Sequence, residues 1–222
     1  MEDKIWYLKQ INILKSLSRD ELMNLGAQCA MQQFKAGDKI SFRESDPTVY
    51  FLKVGTVKIM DREQTLIELI EAGEIFGFLF TGDSSDGVSI YAQQDCIVCY
   101  LAADRWKAVL GKNRNLSYQL FKWAGLRINR IERRLDSLFF KSMEERVHST
   151  FVDLMNRFGR QRTNEWTSVS LKINQQQLAQ LTGTSRQNVN SILNKWKANG
   201  LIDFNRSGFS FSPDFRSLLI ST

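Results

Sequence analysis

Residues 174–200 carry amide, hydroxyl and guanidinium side chains at helical spacing, which is the chemistry of contacts to nucleic-acid bases. A guanidinium can donate two hydrogen bonds to a guanine edge, and an amide can pair with an adenine edge, in the major groove. The polar face of the second predicted helix contains no carboxylate, whereas an ordinary helical hairpin with a solvated face usually mixes Glu with Lys. That face comprises Arg186, Gln187, Asn190, Ser191 and Asn194.

The residues around this face predict two short helices joined by a tight turn. Asn174 and Ser185 are types that cap helix N-termini, and Gly183 suits a turn in which a side chain would be strained. Gly200 is expected to end the second helix. The result is a predicted helix-turn-helix with Ser185–Asn199 as its recognition helix. The apolar side of that helix consists of Val189, Ile192, Leu193 and Trp196.

The segment after the recognition helix predicts a β-hairpin. Leu201–Phe204 and Phe209–Phe211 alternate as short strands, and the Asn-Arg-Ser-Gly connection between them is a good turn. Such a hairpin is the wing of a winged helix, and Arg206 at its tip would approach a phosphate. The candidate DNA-binding residues are therefore Gln175, Thr184, Ser185, Arg186, Gln187, Asn190, Ser191, Asn194 and Arg206.

Charge is distributed unevenly along the 222 residues. The net charge of +6 combines about −6 in residues 1–104, +7 in 105–140 and +5 in 141–222. A cationic second half is the electrostatic footprint of a DNA-binding protein. We find no run of about 18 apolar residues and no signal peptide, so we expect no membrane partner. Three cysteines cannot all pair within the chain, which favours a cytoplasmic setting.

The pattern of the rest of the chain predicts an α+β protein. Residues 5–33 look helical, and regularly spaced short segments from Phe34 to Leu101 predict an N-terminal antiparallel sandwich or jelly-roll barrel. A helical pattern then runs from Asp104 to Phe139, and another covers Met143–Phe158. We expect a barrel domain at 1–104, a long dimerisation helix at 105–140 and a winged helix-turn-helix at 141–222.

An apolar seam at alternating steps of four and three residues marks the long helix. Such a/d spacing is typical of helices that pack against a partner helix. The seam could instead pack on the chain's own barrel, but a helix-turn-helix usually works on paired half-sites, which favours a homodimer. The candidate dimerisation residues are Ala124, Ile128, Ile131, Leu135 and Leu138.

The order of barrel, long helix and winged helix resembles the bacterial cyclic-AMP receptor protein and fumarate–nitrate reduction regulator family. The short motifs 34–40, 50–59, 73–77 and 184–189 carry the resemblance, which extends from about Ile13 to Ser212. It implies a homodimeric transcription regulator with an N-terminal effector domain. The implied partners are double-stranded DNA, RNA polymerase and an unknown small-molecule effector.

This chain departs from the cyclic-nucleotide-binding members of that family. In those members a Glu that binds the ribose follows Phe-Gly, whereas Phe78 follows Gly77 here. Their phosphate-binding Arg is missing too, because Asp86 lies near its position, before Val88. Carboxylates would repel a phosphate. We take Gly77, Phe78, Asp86 and Val88 as the candidate effector pocket and expect it not to bind cyclic AMP, although a cyclic-nucleotide-responsive regulator with a non-standard pocket is the alternative.

We expect neither a cofactor nor a metal. Cys29, Cys96 and Cys99 are too few and too scattered for the iron–sulfur cluster of the oxygen-sensing members. Cys96 and Cys99 are three residues apart on a predicted strand, so they should point to opposite faces as buried structural residues. The single histidine, His148, has no evident nucleophilic partner and is expected to pack or lie at the surface, which argues against an enzyme. A regulatory module that binds only a ligand stays the second hypothesis.

Overall fold

The computed structural model describes residues 8–40, 47–77, 88–161, 166–205 and 207–218. The chain divides into two compact units, Met1–Arg130 and Ile131–Thr222. The boundary between them falls within the longest helix rather than at its start.

The N-terminal unit is a jelly-roll-like barrel of two antiparallel sheets. A four-stranded sheet has the order β1-β7-β2-β5, and a three-stranded sheet has the order β4-β3-β6. The strands are β1 (Ala30–Phe34), β2 (Thr48–Val54), β3 (Thr56–Met60), β4 (Leu66–Glu71), β5 (Ile75–Gly77), β6 (Ser89–Ala92) and β7 (Cys96–Ala102).

Strand β2 is buried on both of its faces, and this explains its nearly continuous apolar sequence. Tyr50 and Leu52 point into the core between the two sheets. Val49 and Phe51 alternate with them and join a second cluster, which the N-terminal segment and the helices after β7 complete. Successive side chains of a strand leave on opposite faces. The sheet that contains β2 therefore separates two apolar cores.

Helices precede and follow the strands of the barrel along the sequence. They are α1 (Arg19–Gln28), α2 (Ala103–Lys112) and α3 (Arg114–Phe140), and a 3-10 turn covers Asn12–Ser16. The expected continuous helix from Asp104 is interrupted at Asn113, whose side-chain oxygen accepts a hydrogen bond from the Leu116 amide at 2.8 Å. The prediction that residues 5–33 are helical was wrong at the C-terminal end of that range, because Ala30–Phe34 pairs with β7 as strand β1.

The C-terminal unit combines helices with a four-stranded antiparallel sheet. Its sheet has the order β10-β11-β9-β8. The elements are α4 (Met143–Phe158), β8 (Gly159–Gln161), β9 (Thr167–Val169), α5 (Gln175–Thr182), α6 (Arg186–Ala198), β10 (Ile202–Asn205), β11 (Gly208–Phe211) and a 3-10 turn at Pro213–Ser217. The predicted bounds of α4 and the predicted hairpin are confirmed, whereas β8 and β9 were not predicted.

Aromatic rings form the core of this unit. Trp196 of α6 lies edge-on to Phe215 at 5.2 Å and to Phe151 of α4 at 6.3 Å. His148 is buried beside them, and its Nε2 lies 2.7 Å from the Phe215 carbonyl oxygen. His148 is therefore a packing residue. The members of this aromatic cluster are His148, Phe151, Trp196, Phe209, Phe211 and Phe215.

A carboxylate at the edge of this cluster ties α6 to α4. Glu144 accepts a hydrogen bond from the Trp196 indole at 2.9 Å and pairs with the Lys195 ammonium at 2.9 Å. The Lys195 hydrogen bond is the main cause, and that of Trp196 a smaller one, of a Glu144 pKa below its ordinary value.

We expect Glu144→Gln to destabilise the C-terminal unit by about 1 kcal/mol near neutral pH. A carboxyl whose folded pKa is depressed contributes stability above its unfolded pKa and loses it as the pH falls through the folded value. The difference from the wild type should therefore shrink between neutral pH and an acidic pH below the folded pKa of Glu144. Native-state hydrogen exchange of the α6 amides, at neutral pH and at the acidic pH, measures this difference in stability. Asp214→Asn, at an exposed acid of the same unit, is the control, and an equal loss at both pH values would contradict the assignment.

Candidate nucleic-acid interface

Asn174 caps the start of helix α5 and Gly183 forms the turn at its end, as the sequence predicted. Asn174 accepts a hydrogen bond from the Gln177 amide at 2.8 Å, and the Gln177 side chain accepts one from the Asn174 amide at 3.0 Å. This reciprocal pair is a capping box. At the other end Gly183 adopts φ 62°, and a Cβ atom there would lie 2.6 Å from the Leu138 side chain. The turn therefore needs glycine for its backbone conformation, whereas the exposed Leu138 side chain could move away from a Cβ atom.

Two arginines bind the carbonyl groups at the C-terminal end of α5. Arg146 of α4 donates from Nε to the Thr182 oxygen at 2.9 Å and from Nη2 to the Gly183 oxygen at 3.2 Å. Arg134 of α3 donates to the Gln180 oxygen at 3.2 Å. The last carbonyl groups of a helix have no partner within the helix, and cations are favoured there. These contacts hold the turn, and with it the start of α6, on α3 and α4.

The bounds of α6 agree with the predicted recognition helix. The Ser185 hydroxyl caps it by accepting from the Asn188 amide at 3.1 Å. Val189, Leu193 and Trp196 are buried. Its end is a Schellman motif, in which the Leu201 amide donates to the Trp196 oxygen at 2.9 Å and the Gly200 amide to the Lys197 oxygen at 3.0 Å.

The opposite face of α6 is exposed, as expected from its composition. The side chains of Arg186, Gln187, Asn190, Ser191 and Asn194 are all exposed. Arg186 and Gln187 occupy the first turn of the helix, next to the Ser185 cap. A guanidinium, amides and a hydroxyl thus form one polar surface without a carboxylate, which can hydrogen-bond to base edges.

Three other candidate residues have structural contacts of their own. The Ser185 hydroxyl is engaged in the α6 cap. The Thr184 hydroxyl accepts a hydrogen bond from the Asn188 side chain at 3.1 Å. Gln175, half-buried at the start of α5, donates to the Asn190 side-chain oxygen at 3.0 Å. Ser185 caps α6, and Thr184 and Gln175 hold side chains of the same helix, so these three residues shape the surface that α6 presents.

The hairpin after α6 has the geometry of a wing. Ile202 pairs with Phe211 and Asn205 with Gly208 across it, and β11 also pairs with β9. Asn205 fixes the turn by accepting a hydrogen bond from the Ser207 amide at 2.8 Å. Arg206 lies outside the described residues. Three-residue β8 and β9 extend the wing into a sheet, and segments of that length carry too little alternation to be found from sequence.

Helix α3 presents two different faces. Arg127 pairs with Glu68, and Arg130 lies 3.4 Å from Glu74, so one side is held on the barrel by ion pairs. On another side Ile128, Ile131, Leu135 and Leu138 are between 43% and 56% exposed, and Ala124 is half-buried. Phe121, which is 79% exposed, continues this seam by one more three-residue step and was missed in the sequence. The seam does not pack against any described residue closely enough to bury it.

The candidate effector pocket is only partly described. Gly77 ends β5 opposite Val49, with φ 92°, and a Cβ atom there would lie 2.5 Å from the Thr48 carbonyl oxygen. Val88, directly before β6, is exposed. Phe78 and Asp86 lie outside the described residues. Gly77 thus has a structural reason for its type, independent of any ligand.

The three cysteines are buried, and none of them is in a disulfide bond. Cys96 joins the core between the sheets, and Cys99 joins the cluster on the other face of the same sheet, so the two thiols of β7 point in opposite directions as predicted. Burial raises the pKa of Cys96 to about 11. Among the described residues no group of three His, Cys, Asp or Glu side chains could hold a metal ion, and no helix is long and apolar enough to cross a membrane.

Comparison with known proteins matches both units of the chain. Residues 31–113 match the family model of a cyclic nucleotide-binding domain, and residues 145–212 match that of a Crp-like helix-turn-helix domain. The anaerobic regulatory protein of Bacillus subtilis (strain 168) is 22% identical over 166 residues, which cover 72% of this chain and 69% of that protein. A CRP-like cAMP-activated global transcriptional regulator of Mycobacterium tuberculosis is 25% identical over 202 residues, covering 88% and 89%.

Solved structures share the fold at low sequence identity. A CooA mutant from Carboxydothermus hydrogenoformans gives a TM-score of 0.73 at 19% identity, over 96% of this chain and 93% of that one. FixK2 from Bradyrhizobium japonicum gives 0.72 at 14% identity, over 86% and 95%. Two domain models in the same order, together with these relatives and this fold, identify the chain as a member of the Crp/Fnr family of DNA-binding transcription regulators.

Proposed function

We propose that the chain is a homodimeric regulator that binds a palindromic operator through α6, and that its effector is not cyclic AMP. In this proposal residues 1–104 are the effector-type domain, 105–140 the dimerisation helix and 141–222 the DNA-binding domain. Double-stranded DNA and RNA polymerase are its macromolecular partners.

The exposed polar face of α6 is the observation that carries the proposal. Arg186 and Gln187 stand in its first turn, and Asn190, Ser191 and Asn194 follow at helical spacing. The N-terminal part of a recognition helix is the part that meets base edges in the major groove. The net charge of about +5 in residues 141–222 supports the same function, because phosphate neutralisation supplies much of the affinity for DNA.

The exposed seam of α3 supports a homodimer. A long exposed apolar stripe on a helix is favourable only if a partner covers it, and each branched side chain that becomes buried contributes roughly 1.5–3 kcal/mol. A second copy offers the same stripe on the same helix, and two-fold symmetry makes the two stripes complementary. Two recognition helices related in this way would meet two half-sites of a palindrome.

A cyclic-nucleotide-responsive regulator is the second candidate for the effector. It is favoured by the names of relatives such as the cAMP-activated global transcriptional regulator Vfr of Pseudomonas aeruginosa, which is 23% identical over 194 residues. Against it are Phe78 and Asp86, since neither can replace a ribose-binding Glu or a phosphate-binding Arg. We therefore propose an effector of different chemistry, or a dimer that is competent without one.

If Arg186 contacts a base and Arg206 contacts a phosphate, Arg186→Ala and Arg206→Ala should change DNA binding in different ways. Losing a bidentate base contact should cost about 1–3 kcal/mol on the operator and relax the preference at one base pair. Losing a phosphate contact should weaken all duplexes alike and reduce the salt slope by about one unit. Competition binding to operator and scrambled duplexes measures both effects.

Arg186→Lys is the matched control for charge, because it keeps the cation and removes the planar fork. It should lose the base preference while the salt slope stays as in the wild type. If Arg186→Ala weakens operator and scrambled duplexes equally, Arg186 is a phosphate contact and its assignment to base readout is wrong.

The double variant Ile128→Glu, Ile131→Glu should be a monomer, because it would bury carboxylates in the dimer seam. Analytical ultracentrifugation measures the mass. The control is Leu126→Glu with Asn129→Glu, which adds the same charge and also removes an exposed apolar residue, but outside the seam. A seam variant that still sediments as a dimer would move the interface elsewhere.

Calorimetry should detect no micromolar binding of cyclic AMP, and the nucleotide should not change the affinity for the operator. The double variant Phe78→Glu, Asp86→Arg supplies the two groups that a cyclic nucleotide needs, and it should raise the affinity for cyclic AMP. Micromolar binding by the wild type would favour the cyclic-nucleotide-responsive alternative.

A further inference from the structure

Three amide side chains form a hydrogen-bonded chain across the two helices of the helix-turn-helix. Gln175 donates from Nε2 to the Asn190 side-chain oxygen at 3.0 Å, and Asn194 donates from Nδ2 to the same oxygen at 3.4 Å. Gln175 is half-buried on α5, whereas Asn190 and Asn194 are exposed on α6, one turn apart. The shorter contact, and the one that joins the two helices, comes from Gln175.

This arrangement uses only one end of the Asn190 amide. A carbonyl oxygen has two lone pairs, and the two donors occupy both of them. The amide nitrogen of Asn190 keeps two N–H donors and lies on the other side of the planar group. Asn190 can therefore offer a ligand hydrogen-bond donors but no acceptor.

We propose that Gln175 is a positioning residue that fixes the Asn190 amide so that only hydrogen-bond donors face the major groove. Guanine offers two acceptors there and thymine offers one, whereas cytosine offers an amino group, which is itself a donor. Adenine offers one acceptor directly beside such an amino group, which repels a second donor. Pairing with adenine through one donor and one acceptor is excluded while Gln175 holds the oxygen. Asn190 thus selects guanine or thymine on the contacted strand. The adenine contact that the sequence suggested for an amide side chain is disfavoured. The inference rests on the proposed DNA-binding function.

The substitution Gln175→Glu tests this orientation directly. The introduced carboxylate has no donor, so Asn190 can satisfy it only by turning its amide and donating to it. The Asn190 oxygen then faces the groove and accepts from the amino groups of cytosine or adenine. We expect the preference at that base pair to change from guanine or thymine to cytosine or adenine, by roughly fivefold or more.

The experiment measures preference rather than affinity, because added negative charge weakens binding to any DNA. Operators are first selected from a random duplex pool with the full-length wild type. Asn190→Ala identifies the base pair that Asn190 contacts, as the one whose preference it flattens. Competition binding then compares all four base pairs at that position for the wild type, Gln175→Glu and Gln175→Met.

Two variants separate orientation from other effects. Gln176→Glu adds the same charge at the next residue of α5, which is exposed, and should lower binding to all duplexes without changing the base preference. Gln175→Met keeps the length and removes the donor, so Asn190 can rotate and the preference should widen to include adenine. A purely structural role for Gln175 would weaken binding in both of its variants without inverting the preference.

The outcomes distinguish this inference from the proposed function. If the wild type shows no sequence preference at all, both are overturned. Suppose instead that the wild type reads its operator through Arg186. Three results would then overturn the inference alone. The wild type could prefer cytosine or adenine at the Asn190 base pair, or Gln175→Glu could leave the preference there unchanged. The third is that Asn190→Ala flattens the base preference at no position.

Discussion

The turn between α5 and α6 has to satisfy the unpaired backbone groups of two helix ends within three residues. The Arg146 guanidinium takes up the last carbonyl oxygens of α5, and the Ser185 hydroxyl takes up an amide of α6. Gly183 makes the reversal in a left-handed backbone conformation that strains other residues. Buried or crowded helix ends without such partners are costly. The direction of α6, and therefore the surface that it offers to DNA, depends on these few hydrogen bonds.

Once the turn is fixed, the aromatic cluster holds the far end of α6. Trp196 packs on Phe151 and Phe215, and its indole nitrogen donates to Glu144. The helix is thus anchored by its first turn and by its last two turns, and its polar face needs no contacts of its own for stability. This separation explains why amides and a guanidinium can occupy that face without partners such as Glu.

Sequence reasoning predicted the elements whose signals are local. The caps at Asn174 and Ser185, the ends of α4, and the apolar run of β2 all follow from residue types within a few positions. It missed β8 and β9, which are three-residue strands held by backbone pairing to each other and, through β9, to β11, and it missed the break at Asn113. It also did not predict the hydrogen bond from Gln175 to Asn190, because that contact depends on how closely α5 and α6 cross. Distances between residues 15 positions apart are set by packing, which local patterns do not encode.

Strand β7 carries one thiol into each of the two cores of the N-terminal unit. Cys96 lies between the sheets and Cys99 lies under the helices, and Cys29 is buried in the second core. The thiolate is the reactive form, and burial holds the Cys96 thiol protonated at physiological pH. An alkylating reagent should therefore find all three sulfurs inert until the barrel opens. Because Cys96 and Cys99 report from opposite sides of one sheet, their relative labelling rates would reveal which core loosens first.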